Sequence, residues 1–150
     1  MGDFSSATAQ TQFIEGLALY NSGHFFEAHE VLEDVWRSVP IDQPSKLHCQ
    51  GIVQLAVAFH HHSTGNFIGA ASVLDRALRN LDGAEETFPE LNIVELRALL
   101  EPWQRYFSEV NHMKLPGAQN SPHANATAAE PSAPPLPIIR YAFTSRQPDL

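Results

Sequence analysis

The apolar residues of this chain recur at every third or fourth position from residue 11 to residue 112, the spacing of helices that bury one face. No alternating apolar and polar run in this region predicts a strand. Clusters of Gly, Asn, Ser and Pro divide the region into five segments. The predicted helices run from Thr11 to about Tyr20, from Phe25 to Ser38, from Pro44 to His62, from Asn66 to about Asn80, and from Asn92 onward. The sequence therefore predicts an all-α domain over residues 11–112.

The fifth predicted helix contains a proline, Pro102, in its interior. Proline has no N–H for the helical hydrogen-bond pattern, and its ring clashes with the preceding turn. We therefore expect a kink near Leu99, or a break into two short helices.

The C-terminal region, residues 113–150, holds seven of the eleven prolines, with Ala, Ser and Asn between them. This composition predicts an extended or disordered proline-rich tail. Residues 136–143 are too apolar for a solvated tail, so we expect them to dock on the helical body or on a partner.

The two central helical pairs share a pattern of small and apolar residues. Gly23 is followed by Ala28, Leu32 and Val35, and Gly65 is followed at the same offsets by Ala70, Leu74 and Ala77. Residues 11–40 and 44–82 therefore resemble two helical hairpins of the tetratricopeptide type. Two units are fewer than the roughly three that a solenoid needs to bury its core. The predicted architecture is a compact bundle of these two hairpins with the fifth helix packed against them.

Charge and composition exclude several classes of protein. The formal net charge is −8, and no cluster of Lys or Arg occurs. Binding to nucleic acid or to an anionic membrane draws on cationic side chains, so neither is expected. The chain has no apolar run of the roughly 20 residues that cross a membrane, and its first residues do not resemble a signal peptide. These observations predict a soluble cytoplasmic protein. A single cysteine, Cys49, cannot form an internal disulfide or a cysteine zinc cage.

The second predicted helix has polar and aromatic residues beside its apolar face. Ala28, Leu32 and Val35 define that face, and His29, Glu33 and Trp36 share one flank of it, within about 60° on a helical wheel. A His and a Glu four residues apart reach one metal ion from adjacent turns. The same spacing also suits a simple surface hydrogen bond. This helix alone leaves both interpretations open.

The third predicted helix is apolar on nearly all sides, which indicates a central position in the bundle. Gln50, Gln54 and His61 lie within about 40° of one another on it, and buried amides need hydrogen-bond partners. We infer a pocket between the second and third helices, in which His29, Glu33 and His61 are candidate ligands of a divalent metal ion. The predicted lining is His29, Glu33, Trp36, Gln50, Gln54 and His61. A buried structural network without a ligand is the alternative.

Three stretches together resemble a known family. They are His29-x-x-x-Glu33-x-x-Trp36 with the preceding Tyr20-Asn21-x-Gly23-x-Phe25-Phe26-Glu27-Ala28, residues 50–56 (QGIVQLA), and residues 65–70 (GNFxGA). They resemble the bacterial and archaeal family called domain of unknown function 309, over roughly residues 11–82. The resemblance implies a small all-α domain and metal binding through the His and Glu of the motif. It implies no reaction, and the proline-rich tail lies outside it.

Two hypotheses about function follow. The first is a site for a divalent metal ion or a small-molecule ligand, with or without catalysis, in the pocket around the HxxxExxW motif. The second is a non-catalytic helical module for protein interaction or homo-oligomerisation, in which the tail serves as an internal ligand or as an oligomerisation arm. The sequence names no substrate, cofactor or reaction.

Overall fold

A computed structural model describes residues 7–113 and 132–141 of the chain. Within these ranges the protein contains six helices and no strand, which confirms the predicted all-α class. The helices are α1 (Ala7–Asn21), α2 (Phe25–Ser38), α3 (Pro44–Ser63), α4 (Phe67–Asn80), α5 (Ala84–Thr87) and α6 (Ile93–Met113). None of the helices in the described ranges combines the length and apolarity that crossing a membrane requires. The cytoplasmic location stays a prediction.

The core is organised around α3. This helix packs most extensively against α4 and also against α2, while α1 covers α2 and α6 covers α4. Its residues Cys49, Ile52, Leu55 and Phe59 are fully buried. Because an all-round apolar helix needs neighbours on several sides, the consecutive helices fold back along it in layers.

The turns that end α1 and α3 have the same geometry. Gly23 and Gly65 have φ angles of 86° and 84°, in the left-handed region that glycine adopts without a steric penalty. In each turn the next residue, His24 or Asn66, donates its N–H to the carbonyl five residues back, at 2.9 Å and 2.8 Å respectively. The repeated glycines of the sequence therefore make equivalent turns. Likeness to tetratricopeptide hairpins beyond these turns stays a prediction.

The last long helix, α6, runs without a break through Pro102. The predicted break into two helices is therefore wrong, and the predicted kink remains a prediction. Pro102 cannot donate a hydrogen bond to the carbonyl of Ala98. Ala98 is exposed, so water can satisfy that carbonyl and the helix continues. The one-turn helix α5 was not predicted; it begins after Gly83, whose φ is 81°.

The tail lies against the helical body where the structure describes it. Residues 132–140 belong to no helix or strand, and Ile139 is only 2% exposed within the core cluster. Leu91 and Tyr141 form an isolated antiparallel bridge. Of the segment 136–143 that was expected to dock, residues 142–143 lie outside the described residues, as does the connection 114–131.

His62 packs its ring into an aromatic cluster at the end of α3. The ring centroid lies 5.0 Å from that of Trp103, and Phe67, Tyr106 and Phe107 complete the cluster at 5.6–5.9 Å. The Nδ1 atom is buried without a hydrogen-bond partner. Burial lowers the pKa of His62 below its ordinary value, because the imidazolium loses hydration that these neutral rings do not replace.

Replacing Gly51 tests the close approach of α3 and α4. A Cβ atom there would lie 2.8 Å from Cγ of Leu81 and 3.2 Å from the backbone oxygen of Ala77. We expect Gly51→Val to lower the free energy of unfolding by about 1–3 kcal/mol through overpacking, measured by urea denaturation. Ala98→Val, which places the same side chain on the exposed side of α6, should cost under about 0.7 kcal/mol. Equal effects at both positions would contradict the close packing.

The burial of His62 predicts a pH dependence of stability. In the unfolded chain its pKa is about 6.5, and in the folded chain its pKa is lower. Below about pH 6.5 the unfolded state therefore binds a proton that the folded state does not, so stability falls as the pH decreases. We expect His62→Phe to lose less stability than the wild type between pH 7.5 and pH 5.5 in denaturant titrations. His24→Gln, at an exposed turn position, should keep the wild-type slope; an unchanged slope in His62→Phe would refute this account.

Candidate functional site

His29 and Glu33 form a pair on the surface of α2. Their side chains are 29% and 34% exposed, and Nε2 of His29 lies 3.4 Å from Oε1 of Glu33. The second carboxylate oxygen of Glu33 lies 3.6 Å from Arg37. Pairs of this kind on helix surfaces contribute about 0.3–0.5 kcal/mol. The pair is thus partly solvated rather than enclosed in a pocket.

Trp36 joins the C-terminal end of α2 to the beginning of α3. The amino group of Lys46 lies 4.0 Å from the centre of the indole ring. It also donates hydrogen bonds to the carbonyls of Trp36 and Val39, at 2.6 Å and 2.9 Å. Carbonyls at a helix C-terminus lack partners within the helix and carry partial negative charge, so an ammonium group stabilises this end. Lys46 was not among the predicted site residues, although a lysine soon after the end of α2 is a recognisable signal for this role.

The polar residues predicted on α3 do not face one common pocket. Gln54 accepts a hydrogen bond of 2.9 Å from Asn80 of α4, and Nδ1 of His61 lies 3.2 Å from Asn66 in the turn before α4. Only Gln50 lies beside Trp36, in a concavity between α2 and α3. All three residues are half-buried. Of the three residues, Gln54 therefore bonds to α4, His61 lies beside the turn before α4, and Gln50 lies on the side of α2.

The histidine of α3 that lies near His29 is His60. The two histidines, with Phe26 and Val57, line a cavity of about 110 Å³ at the beginning of α2. Successive side chains of a helix point about 100° apart. His60 therefore lies outside the stripe that contains His61. The exposed Phe26 is a neighbour of both histidines: its ring centroid lies 5.5 Å from that of His60 and 6.0 Å from that of His29.

The donor set does not fit the metal centre that the family resemblance implies. A catalytic zinc site uses three protein ligands and a structural site uses four. Among residues 7–113 and 132–141, no three His, Cys, Asp or Glu side chains are placed to hold one ion. The structure brings His29 and Glu33 together but directs the third predicted ligand, His61, to Asn66.

Cys49 does not offer a nucleophile. Its side chain is fully buried in α3, and burial raises the pKa of its thiol to about 12. The reactive thiolate is therefore not formed near neutral pH.

The groove between α2 and α3 has apolar concavities at both ends. At one end lies the cavity beside Phe26, whose side chain is 49% exposed. At the other end a concavity of about 510 Å³ is bordered by Trp36, Ile41 and Leu47, the last two being 88% and 55% exposed. We call this groove, from Phe26 and Val57 to Ile41 and Leu47, the α2–α3 face. Trp36 and Val57 pack against the core, whereas Phe26, Ile41 and Leu47 are exposed. Exposed apolar residues that lie together in this way are typical of interaction surfaces.

Acidic residues are exposed on α2 and in the loop before α3. Glu30 and Asp34 are exposed on α2, and Asp42 is exposed in the loop before α3. The nearby cations are already engaged: Arg37 contacts Glu33 and Asp34, and Lys46 binds carbonyls and the indole ring. The smaller cleft has an apolar lining with two histidines, and the larger one combines apolar residues with Asp42, Lys46 and two glutamines.

Two curated proteins are similar to this chain. One, named "Uncharacterized protein" in Aquifex aeolicus (strain VF5), is 34% identical over 82 residues, which are 55% of this chain and 24% of that protein. The other, "Uncharacterized protein YpuF" of Bacillus subtilis (strain 168), is 33% identical over 86 residues, 57% of this chain and 48% of that protein. The aligned part thus spans about half or less of each relative.

The matched family coincides with the helices that build the α2–α3 face. Residues 13–73 match the family described as "Domain of unknown function (DUF309)", a range that includes α2, α3 and most of α1. The resemblance predicted from the HxxxExxW motif and its flanking segments is confirmed over residues 13–73, where the chain matches this family.

Proposed function

We propose that this domain is a protein-interaction module whose α2–α3 face binds an amphipathic helix of another protein. The pair of apolar concavities at the two ends of one groove carries the proposal. They offer two anchoring positions for apolar side chains of a ligand. The HxxxExxW motif lines the groove between them.

The spacing of the two concavities suits a helix. Val57 lies in one and Leu47 in the other. Ten residues of α3 separate them, or about 15 Å at 1.5 Å per residue. An amphipathic helix presents apolar residues at i, i+4, i+7 and i+11 over a similar length. Residues 25–38 and 44–63 use their backbone groups within helices, so addition of a strand is not available to a ligand on this face.

The negative charge of this part of the protein favours a basic ligand. Asp42 lines one of the concavities, Glu30 and Asp34 are exposed elsewhere on α2, and the protein carries a formal charge of −8. Lys or Arg residues beside the apolar stripe of the ligand would meet this potential, which favours association rate and orientation more than affinity. The proposed partner is accordingly a basic amphipathic helix.

A metal ion or small molecule at His29 and Glu33 is the competing hypothesis. Its support is that His29 and His60 line one cavity with Glu33 close by. That cavity measures about 110 Å³, whereas sites for small molecules measure about 300–1,000 Å³. The interaction hypothesis therefore accounts for more of the face.

Selection of helical peptides tests the interaction module. We expect a displayed library of helical peptides, selected on the wild-type protein, to yield members with apolar residues at i, i+4, i+7 and i+11 and with Lys or Arg beside them. Binding measured by fluorescence anisotropy should weaken at least tenfold in Phe26→Ser and in Leu47→Ser, because each removes one anchoring contact. Ile68→Ser, at a residue 74% exposed on α4, is the matched control and should bind unchanged. Peptides whose affinity is the same for all four proteins would refute the proposal.

Addition of metal ions tests the competing hypothesis. An ion present at a hundred times its Kd stabilises a folded protein by about 2.7 kcal/mol, so a real site raises Tm measurably. We expect no rise with Zn²⁺, Mn²⁺ or Fe²⁺ for protein without a His-tag, because only two ligands converge. A rise that is lost in Glu33→Gln but kept in Glu30→Gln would establish a metal site and contradict this expectation.

A further inference from the structure

The contacts between the helical body and the docked tail resemble those between a binding site and a peptide ligand. Along residues 136–140 the exposed side chains alternate with the buried Pro137 and Ile139. An extended chain with one buried edge produces this period of two. The helical body thus has a surface that buries every second residue of the tail segment.

Side chains of the body bind the tail backbone at every second carbonyl. The indole N–H of Trp103 donates to the carbonyl of Pro135 at 3.0 Å, and the hydroxyl of Tyr20 donates to that of Pro137 at 2.9 Å. The amide of Asn21 donates to the carbonyl of Ile139 and accepts from its N–H, both at 2.9 Å. These donors come from α1 and α6, which are distant in sequence, and they converge on one segment of the tail. Such contacts do not depend on which side chains the segment carries.

The same contacts tolerate proline at two positions. Pro135 and Pro137 have no N–H, and the bonds to them use only their carbonyls. Proline also restricts the free segment to extended conformations, so less entropy is lost on docking. Ile139 is the position whose N–H is required.

Side-chain contacts add selectivity at the end of the segment. Ile139 is buried to 2% exposure, and Nε of Arg140 lies 3.4 Å from Oε2 of Glu95. Tyr141 pairs with Leu91 and packs its ring near that of Phe13. The favoured ligand therefore has the pattern Pro-x-Pro-x-Ile-Arg-Tyr.

We propose that the surface formed by Tyr20, Asn21, Leu91, Glu95 and Trp103, here called the tail site, is a recognition site for an extended proline-containing segment. Residues 134–141 of the same chain fill it, and the same segment of a second copy takes their place when they are displaced. The tail site is separate from the α2–α3 face, so either proposal can fail alone.

A second copy is the occupant because each copy carries one site and one matching segment. Two copies that exchange segments form a closed pair in which every contact of the tail site is kept. Twenty residues, 114–133, lie between α6 and this segment in the sequence. Because the chain's own segment is covalently attached, its binding does not depend on protein concentration, so the monomer is favoured at lower protein concentrations. Exchange of segments between copies becomes measurable when a substitution weakens the binding of a chain's own segment to its tail site.

Variants of the full-length chain test the tail site and the tail segment independently. Ile139→Asp spoils the segment and frees the site; Ile138→Asp is the matched control, since Ile138 is the exposed neighbour, at 40%. A fluorescein-labelled peptide of residues 132–141 is titrated with each chain and followed by anisotropy. We expect saturable binding to Ile139→Asp, and binding at least tenfold weaker to the wild type and to Ile138→Asp. Adding Asn21→Ala to Ile139→Asp should weaken binding at least tenfold. Ser22→Ala, adjacent but bonded only within α1, should not.

Mixing two variants tests exchange between copies. Asn21→Ala has a weakened site with an intact segment, and Ile139→Asp has the reverse. We expect sedimentation analysis to show a dimer in the equimolar mixture and monomers in each separate sample. Equal peptide binding by all chains, no binding by an Ile139→Asp chain of native helical content, or a monomeric mixture would overturn the proposal. If Ile139→Asp loses helical circular dichroism, Ile139→Ala replaces it with the same expected order.

Discussion

Burial of α3 is the constraint on which the rest of the fold depends. A helix that is apolar on nearly all sides cannot remain next to water, so α2 and α4 must cover it on two flanks. Gly51 lets α4 approach closely at one crossing, and Gly16 lets α1 approach Leu32 of α2 at another. What the flanking helices leave uncovered is a narrow stripe through Gln50, Gln54, Val57 and His61. The surfaces available for function are therefore the grooves that border this stripe.

The HxxxExxW motif combines structural and surface roles on one helix. Trp36 and Lys46 fix the end of α2 against the start of α3, which sets the width of the groove between them. Glu33 and His29 lie one and two turns earlier, partly solvated and paired with each other. Residues of such a motif can serve to shape the groove as well as to contact a ligand directly. That dual role is the reason for assigning an interaction surface rather than a reaction.

Local periodicity was sufficient to predict the long helices, because the apolar spacing within each helix depends only on neighbours in sequence. It also identified α3 as central and His29, Glu33 and Trp36 as one flank. It could not decide which neighbouring helix receives a given side chain: Gln54 bonds to α4, and His60 rather than His61 lies near His29. The third predicted metal ligand, His61, which was inferred from the helical periodicity, depended on that choice. The partners of the tail lie more than a hundred residues away in α1, a distance over which the sequence pattern carries no information about pairing.

Trp103 and Trp36 are the only two tryptophans of the chain, and each belongs to one of the two surfaces. Trp36 is half-buried at the groove of α2 and α3, whereas Trp103 is 1% exposed and bonded to the tail. The indole emission of a protein responds to solvation and to hydrogen bonding of the ring nitrogen. The two surfaces thus carry separate intrinsic chromophores, and a chain that keeps one tryptophan at a time reports optically on one surface without an attached label.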